Sequence, residues 1–445
     1  MTSDASAPHI LVVGGGYVGM STALRLQRRL RRGEATITVV AAQPNMTYQP
    51  FLAEAASGLV EARQVVVPLR RVLRRCRVLD GEVSTVDHPR RVATVALAGG
   101  EQLSLHYDVL VLASGSVSRT LPVPGLAECG VGFRTVGEAI YLRNQVLSQL
   151  DEASSTEDPQ RRQRALTFVF VGGGYAGIEA LGELEDMARH ALRFHPSLSP
   201  SATRWVLVEA ADRILPELSR SLAEYTVRRL CERGVEVRLE TQVESMVDGH
   251  VVLSGGERFD AGTVVWTAGG KAHPLAARSG LPVDLTGRVV CTPYLQVANT
   301  QGAWSAGDCA AVPDLSKRDV PGAVCGPTAQ HAVRQAKRLA DNLVAVLRGR
   351  QPKPYRHADV GSVASLGLHK GVAEVYGVKL RGRPAWYLHR VYHLSRVPTL
   401  EHKVRVLAGW TLALLLRREL VSLGQLQHPR REWESAVRQA EPASR

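Results

Sequence analysis

Aromatic residues make up only 5% of this 445-residue chain, which instead carries 40 glycines. Few aromatics leave no stacking platform, and no nucleic-acid-binding motif is present, so no nucleic-acid partner is expected despite the basic charge. Long apolar runs are also missing. The uncharged apolar stretch of the tail is the 11 residues 406–416, whereas a membrane-spanning helix needs roughly 20. None of the six cysteines forms a Cys-x-x-Cys pair or has zinc-ligand spacing, which excludes a redox dithiol and a structural zinc site of the usual pattern. They read as reduced, mostly buried thiols in an intracellular setting. His389 and His393 are four apart on a helical stretch but have no evident third ligand, so no metal is expected. The N-terminus runs through a short polar arm into an apolar strand, and no cleavable signal peptide is expected. Acids are in deficit. Lys and Arg total 55 against 42 Asp and Glu, a net charge of +13.

What the chain has instead is one glycine-rich turn written twice. Gly14-Gly15-Gly16-Tyr17-Val18-Gly19 follows an apolar strand, and Gly172-Gly173-Gly174-Tyr175-Ala176-Gly177 follows another 158 residues later. Each is a Gly-x-Gly-x-x-Gly turn between strand and helix. The first glycine permits the tight turn, the second lets backbone approach a pyrophosphate, and the third lets the helix pack on the sheet. The phosphates then sit on the free N–H groups of the helix N-terminus. A single copy also fits a tight turn without ligand; two copies imply two dinucleotides in one protein, and electrons passing between them.

The acid after the second strand distinguishes the two turns. In the later unit, Trp205-Val206-Leu207-Val208 ends at Glu209, whose carboxylate can bind both ribose hydroxyls and repels a 2′-phosphate. That favours NAD, although Arg213 lies close enough to blunt the preference, and a solvated strand-end charge is the plainer alternative. In the earlier unit the strand ends at Ala41-Ala42, with Gln43 next, and the acid is missing. FAD, held by many contacts along its length, tolerates such a loss better than an exchanging nicotinamide cofactor. The N-terminal turn is therefore assigned to FAD.

The organisation that follows is α/β, with two Rossmann-like dinucleotide-binding domains of the glutathione-reductase type. Residues 1–125 form the first part of the FAD domain and 126–164 a connection, with a polar surface stretch over 151–164. Residues 165–273 form the NADH domain, 274–365 the second part of the FAD domain, and 366–445 a C-terminal amphipathic helical region. The strand ending at Ala113, followed by Ser114-Gly115, offers small residues where sheet abuts cofactor. Ala268 and Gly269 do the same in the second unit. In Ala306-Gly307-Asp308 the aspartate is placed to bond the FAD ribitol, or else makes an Asx turn or helix N-cap. Ala329-Gln330 opens a helix whose N-terminal N–H groups can stabilise charge on reduced flavin.

The charge excess concentrates in the tail. Residues 376–420 hold nine cations (Lys379, Arg381, Arg383, Arg390, Arg396, Lys403, Arg405, Arg417, Arg418) against Glu401 and Glu419, a net +7. Next to Trp386, Tyr387, Tyr392 and Trp410, these suit a helix lying in an anionic membrane interface. A core-packing helix or a dimer interface fits the same pattern.

Taken together, the two turns, Ala306-Gly307-Asp308, the Ala329-Gln330 helix start and the basic tail resemble the type II NADH dehydrogenases, the single-chain NADH:quinone oxidoreductases that do not pump protons. Met46-Thr47-Tyr48-Gln49-Pro50-Phe51-Leu52 and Gly361-Ser362-Val363-Ala364-Ser365-Leu366-Gly367 are similar to actinobacterial members. The resemblance runs along nearly the whole chain. It implies a peripheral, monotopic flavoenzyme on the cytoplasmic face of the cell membrane, in some members a homodimer. FAD would rest on Gly14, Gly16, Gly19, Gln49, Val83, Ala113, Gly115, Asp308, Ala329 and Gln330. NADH would dock at Gly172, Gly174, Gly177, Glu209, Ala268 and Gly269. A membrane quinone of the menaquinone type would accept electrons near Gln330. Glu179 matches the family glutamate near flavin and quinone that relays protons; a first-turn helix acid is its plainer reading.

Two departures stand out. Ala41 replaces the usual acid at the FAD ribose. Arg334 stands where the family helix has a second glutamine, and Gln335 lies about 100° further round the helix. Three rival activities fit parts of the pattern. A sulfide:quinone oxidoreductase would need flavin-flanking cysteines, for which Cys325 is the one candidate. A dinucleotide-binding redox sensor and a soluble NADH-dependent reductase are the others.

Overall fold

The computed structural model describes residues 7–199, 201–317, 319–357, 360–416, 419–423, 430 and 433–434. Arg417 and Arg418 of the basic tail fall outside these residues. The chain forms two compact units, one of Met1–Thr47, Val66–Arg119 and Gly270–Asp359, the other of Tyr48–Val65, Thr120–Gly269 and Val360–Arg445.

The first unit is built on a seven-stranded sheet. Ala303–Ser305, Val109–Leu112, His9–Val13, Thr36–Ala41 and Arg77–Asp87 run in that spatial order and pair in parallel. Val92–Leu97 and Gln102–His106 extend the edge antiparallel. Ile10, Leu11 and Val12 are fully buried, as expected of a central parallel strand covered on both faces. The helix Tyr17–Arg29 packs on Ala329–Leu347, and Arg25 grips Asp341 with two hydrogen bonds of 2.8 and 2.7 Å.

The second unit repeats the architecture. Gly130–Val131, Thr263–Trp266, Thr167–Val171, Arg204–Val208 and Val235–Arg238 form a five-stranded parallel sheet. Val169, Val206, Val251, Val264 and Met246 fill the core beneath it. The helix Val136–Ser155 is stopped at its start by a capping box, Thr135 with Glu138. The stretch 151–164, expected as a polar surface connection, is largely helical. It finishes that helix and enters Pro159–Ala165, which Asp158 caps through the N–H groups of Gln160 and Arg161. Polarity signalled exposure there, and the cap decided the backbone.

A three-stranded antiparallel sheet, Gly361–Ser365, Gly371–Val375 and Val378–Arg381, carries the chain to the helices Arg383–Arg396 and Leu400–Leu415. Among the described residues no helix is long and apolar enough to cross a membrane.

Candidate functional site

The two glycine turns fold alike, down to the backbone angles. Gly14 has φ +110 and Gly172 φ +111, a conformation side chains resist. Each donates its N–H to the neighbouring strand, Gly14 to Val40 and Gly172 to Val208, both at 2.8 Å. A side chain on the third glycine would collide with the turn itself: a Cβ on Gly177 would lie 2.6 Å from Thr267 Oγ1, and one on Gly19 would strike the Gly14 carbonyl. The second glycine differs. A Cβ on Gly16 or on Gly174 would meet nothing within 4 Å. Neither following helix, Tyr17–Arg29 or Tyr175–Ala191, has a side-chain N-cap, whereas Thr135, Asp158, Thr328 and Thr399 cap others. Open space over exposed, uncapped N–H groups is what a pyrophosphate requires. The residues present therefore fit two dinucleotides.

In the second unit Glu209 stands beside its turn. It accepts from Gly173 N at 2.6 Å and from Ala211 N at 2.8 Å, which fixes the carboxylate at the turn's mouth. Arg213 donates to the Pro216 carbonyl, and so is held by its own loop. Thr267 Oγ1 donates toward the Val171 and Gly172 carbonyls at 2.9 and 3.1 Å, pinning the strand end to the turn; Ala268 and Gly269 follow, Gly269 at φ +83. Thr267 had no signal in the sequence beyond its place next to Ala268. In the first unit, where the acid is absent, the Ala41 methyl lies against the turn: a Cβ on Gly15 would be 2.8 Å from it.

Around the first turn the structure gathers Ala113, whose carbonyl backs Gly14, and Gly115, at φ +69. Asp308 accepts from Ser116 Oγ at 2.7 Å. Gln335 is 1% exposed and accepts the Gly307 N–H at 2.7 Å, so it braces the Ala306-Gly307-Asp308 turn from within the fold. Its offset from Arg334 is what turns it inward. Arg334 donates to His357 Nδ1 at 2.8 Å, and Ala329 and half-buried Gln330 lie in the first turn of their helix. Val83 is 3% exposed within the sheet, paired with Val95. Gln49 belongs to the other unit, where its amide donates to the Arg134 carbonyl at 3.4 Å.

Glu179 lies one turn into the helix Tyr175–Ala191. Its Oε1 accepts from Ser365 N and from His389 Nε2, both at 3.0 Å. His389 is 1% exposed. Burial opposes its protonation, but the Glu179 hydrogen bond and the charges of Glu179, Glu54 and Glu183 outweigh this and raise its pKa. His393, one turn further on with its ring centroid 4.5 Å away, is driven well below the ordinary value by burial and by the His389 charge. The two histidines four apart in sequence thus differ: the Glu179 carboxylate favours the protonated form of His389, and burial favours the neutral form of His393.

The tail corrects one expectation. Arg390, counted with the surface cations, is 6% exposed. Its guanidinium lies between Trp386 and Trp410, 4.0 and 4.7 Å from their centroids, and its Nε is 3.4 Å from Glu54, itself 1% exposed. Trp410 Nε1 donates to the same carboxylate at 2.5 Å. Both tryptophans thus face inward, because a buried cation and carboxylate need them as wall and donor. Among the described residues of Leu400–Leu415, the outward large apolar side chains are Leu400, Val404, Leu407, Leu412 and Leu415, each more than half exposed.

Cys325 is buried, and burial, with the Asp314 charge adding to it, pushes its thiol up to about 11. A thiol held there is a poor thiolate nucleophile.

Residues 8–336 match the model of the pyridine nucleotide-disulphide oxidoreductase family. The chain is 30% identical over 389 residues to a type II NADH:quinone oxidoreductase of Staphylococcus aureus, covering 86% of this chain and 93% of that protein. It is 29% identical over 424 residues to the type II NADH:quinone oxidoreductase Ndh of Mycobacterium tuberculosis, covering 92% and 88%. The chain belongs to the type II NADH:quinone oxidoreductase branch of that flavoprotein family. In fold it is similar to the structure of NDH2 from Plasmodium falciparum in complex with NADH, with a TM-score of 0.86 at 16% identity over 93% of this chain and 99% of the other.

Proposed function

We propose that this protein is an FAD-dependent enzyme that oxidises NADH and reduces a membrane quinone, of the menaquinone type, without pumping protons. The observation that carries this reading is the pair of matched glycine turns, each with open space over an uncapped helix N-terminus. Gly14, Gly16, Gly19, Ala113, Gly115 and Asp308 would hold FAD, with Gln330 and Arg334 at its reactive end. FAD supplies the step that accepts a hydride and releases electrons one or two at a time. Gly172, Gly174, Gly177 and Glu209 would hold NADH, Glu209 selecting the unphosphorylated ribose.

With NADH supplying a hydride, forming a quinol from a quinone takes up one further proton. Glu179 Oε1 and His389 Nε2 share one across a 3.0 Å hydrogen bond, out of bulk water, and their role is to deliver it to a quinone oxygen. Cys325 offers no accessible thiolate, which disfavours sulfide chemistry. The outward apolar row of Leu400–Leu415, with Lys403 and Arg405 on the same helix, suits the anionic cytoplasmic face of a membrane. The same row would be covered in a homodimer. Flotation with phosphatidylglycerol vesicles, alongside molar mass in detergent, separates the two.

Anaerobic stopped-flow tests the activity. NADH should bleach the oxidised-flavin band, and a short-chain menaquinone should restore it rapidly. Bleaching without recovery would overturn the quinone assignment in favour of a sensor or a reductase for another acceptor.

A further inference from the structure

A groove of 680 Å³ opens at the edge of the first unit, lined by His9, Arg32, Thr36, Thr38, Arg75 and Arg77 among others. Its place in the fold separates it from the dinucleotide turn. His9 pairs with Thr36 and Thr38 with Arg77 at the starts of three adjacent parallel strands, whereas the glycine turn follows Val13 at the other end. Dinucleotides in such sheets bind at the carboxyl ends of the strands. The groove is at the amino ends, and the proposed activity makes no use of it.

Its charge is one-sided by construction. Two arginine-rich segments meet here: Arg28 in the last turn of the first helix with Arg31 and Arg32 after it, and Arg70, Arg71, Arg74, Arg75 and Arg77 before and into the strand Arg77–Asp87. They are stapled together. Gln27 Nε2 donates to the Val72 carbonyl at 2.8 Å and Gln27 Oε1 accepts from Arg75 N at 3.2 Å. Arg75 returns its guanidinium to the carbonyls of Gln27 and Leu30. The nearby acids are already committed. Glu34 is gripped by Arg348 at 2.6 and 2.9 Å, which together with the Arg31 N–H holds its carboxyl down at about 2. Asp108 accepts the His9 N–H at 2.6 Å. Arg32 and Arg77, both exposed, have no acidic partner among the described residues.

Unpaired guanidiniums converging on a concavity repel one another and favour an anion between them, and their planar forks match phosphate oxygens. The volume lies within the range of about 300–1,000 Å³ usual for ligand sites and far exceeds a single orthophosphate. We infer that this groove is a second anion site, for a ligand bearing two or more phosphoryl groups. A soluble oligophosphate and a diphosphatidyl lipid headgroup share that chemistry.

The test uses the full-length FAD-loaded protein saturated with NAD, so that both glycine turns are filled. Inorganic tripolyphosphate is titrated calorimetrically at low salt, and flotation is measured with cardiolipin vesicles. The variant is Arg32→Gln with Arg77→Gln; Arg75, which has a structural role, is left alone. One-to-one tripolyphosphate binding that weakens at least tenfold in the variant, with flavin content and NADH bleaching unchanged, is the expected result and marks the soluble source. Weakened flotation without a tripolyphosphate effect marks the lipid source. Equal behaviour of parent and variant toward both probes would overturn the site.

Discussion

Replacing Glu179 by glutamine should uncouple proton delivery from hydride transfer. The glutamine oxygen can still accept a hydrogen bond, so the 3.0 Å contacts to Ser365 N and His389 Nε2 keep their geometry. What is lost is the charge. A charge-assisted hydrogen bond contributes about 1.5–3 kcal/mol net against about 0.5–1.5 for a neutral one, so the change costs the protonated His389 about 1–2 kcal/mol. That is roughly a five- to thirtyfold fall in proton affinity. Burial then acts on His389 with less opposition, since Glu54 and Glu183 remain but the nearest carboxylate is gone. Histidine NMR titration of the flavin-loaded protein, with His393→Asn to assign the resonances, reads the affinity directly. Stopped-flow reads the consequence: bleaching by NADH at the parent rate, and reoxidation by menaquinone slowed about tenfold or more at pH 7, less so as the pH falls. A His389 titration that stays put in Glu179→Gln would refute the pairing. Slowed bleaching with normal reoxidation would refute the assignment of Glu179 to the quinone half-reaction.

Three further outcomes follow from the geometry. Gly16→Ala should fold normally and lose FAD affinity, because its new methyl enters only the ligand's space, whereas Gly19→Ala should lower thermal stability as its methyl strikes the turn; flavin content and thermal melting separate them. Glu54→Gln leaves Arg390 buried without its counter-charge and should destabilise by about 3–5 kcal/mol, and adding Arg390→Met should recover a large part of it; strictly additive effects in urea melts would remove the coupling inferred from their 3.4 Å approach. The two histidines should tilt stability in opposite directions with pH. His393, depressed, contributes stability above the unfolded value of 6.5 that is lost as pH falls below it, and His389, raised, contributes stability below 6.5 that is lost as pH rises through its folded value. Urea melts across pH should therefore flatten on the acid side in His393→Asn and on the alkaline side in His389→Gln.

The sequence alone determined the features that are local. A strand, a glycine turn and a helix are consecutive residues, and the reason each glycine is there is steric, so both strand–turn–helix units and the Glu209 and Ala41 difference were legible from spacing. The Asp308 turn and the Gln330 helix start were legible for the same reason. Tertiary structure decided what lies between distant segments. Nothing in the order of residues says that Gln335 reaches back 28 positions to Gly307, that His389 meets Glu179 across 210 residues, or that Glu54 takes hold of Arg390 and Trp410. Arg390 shows the limit most clearly. A cation beside tryptophans reads as a membrane-surface residue when only composition is known. Whether it faces lipid or core depends on a carboxylate more than 300 residues away, and burial of a charge becomes tolerable only where such a partner is supplied.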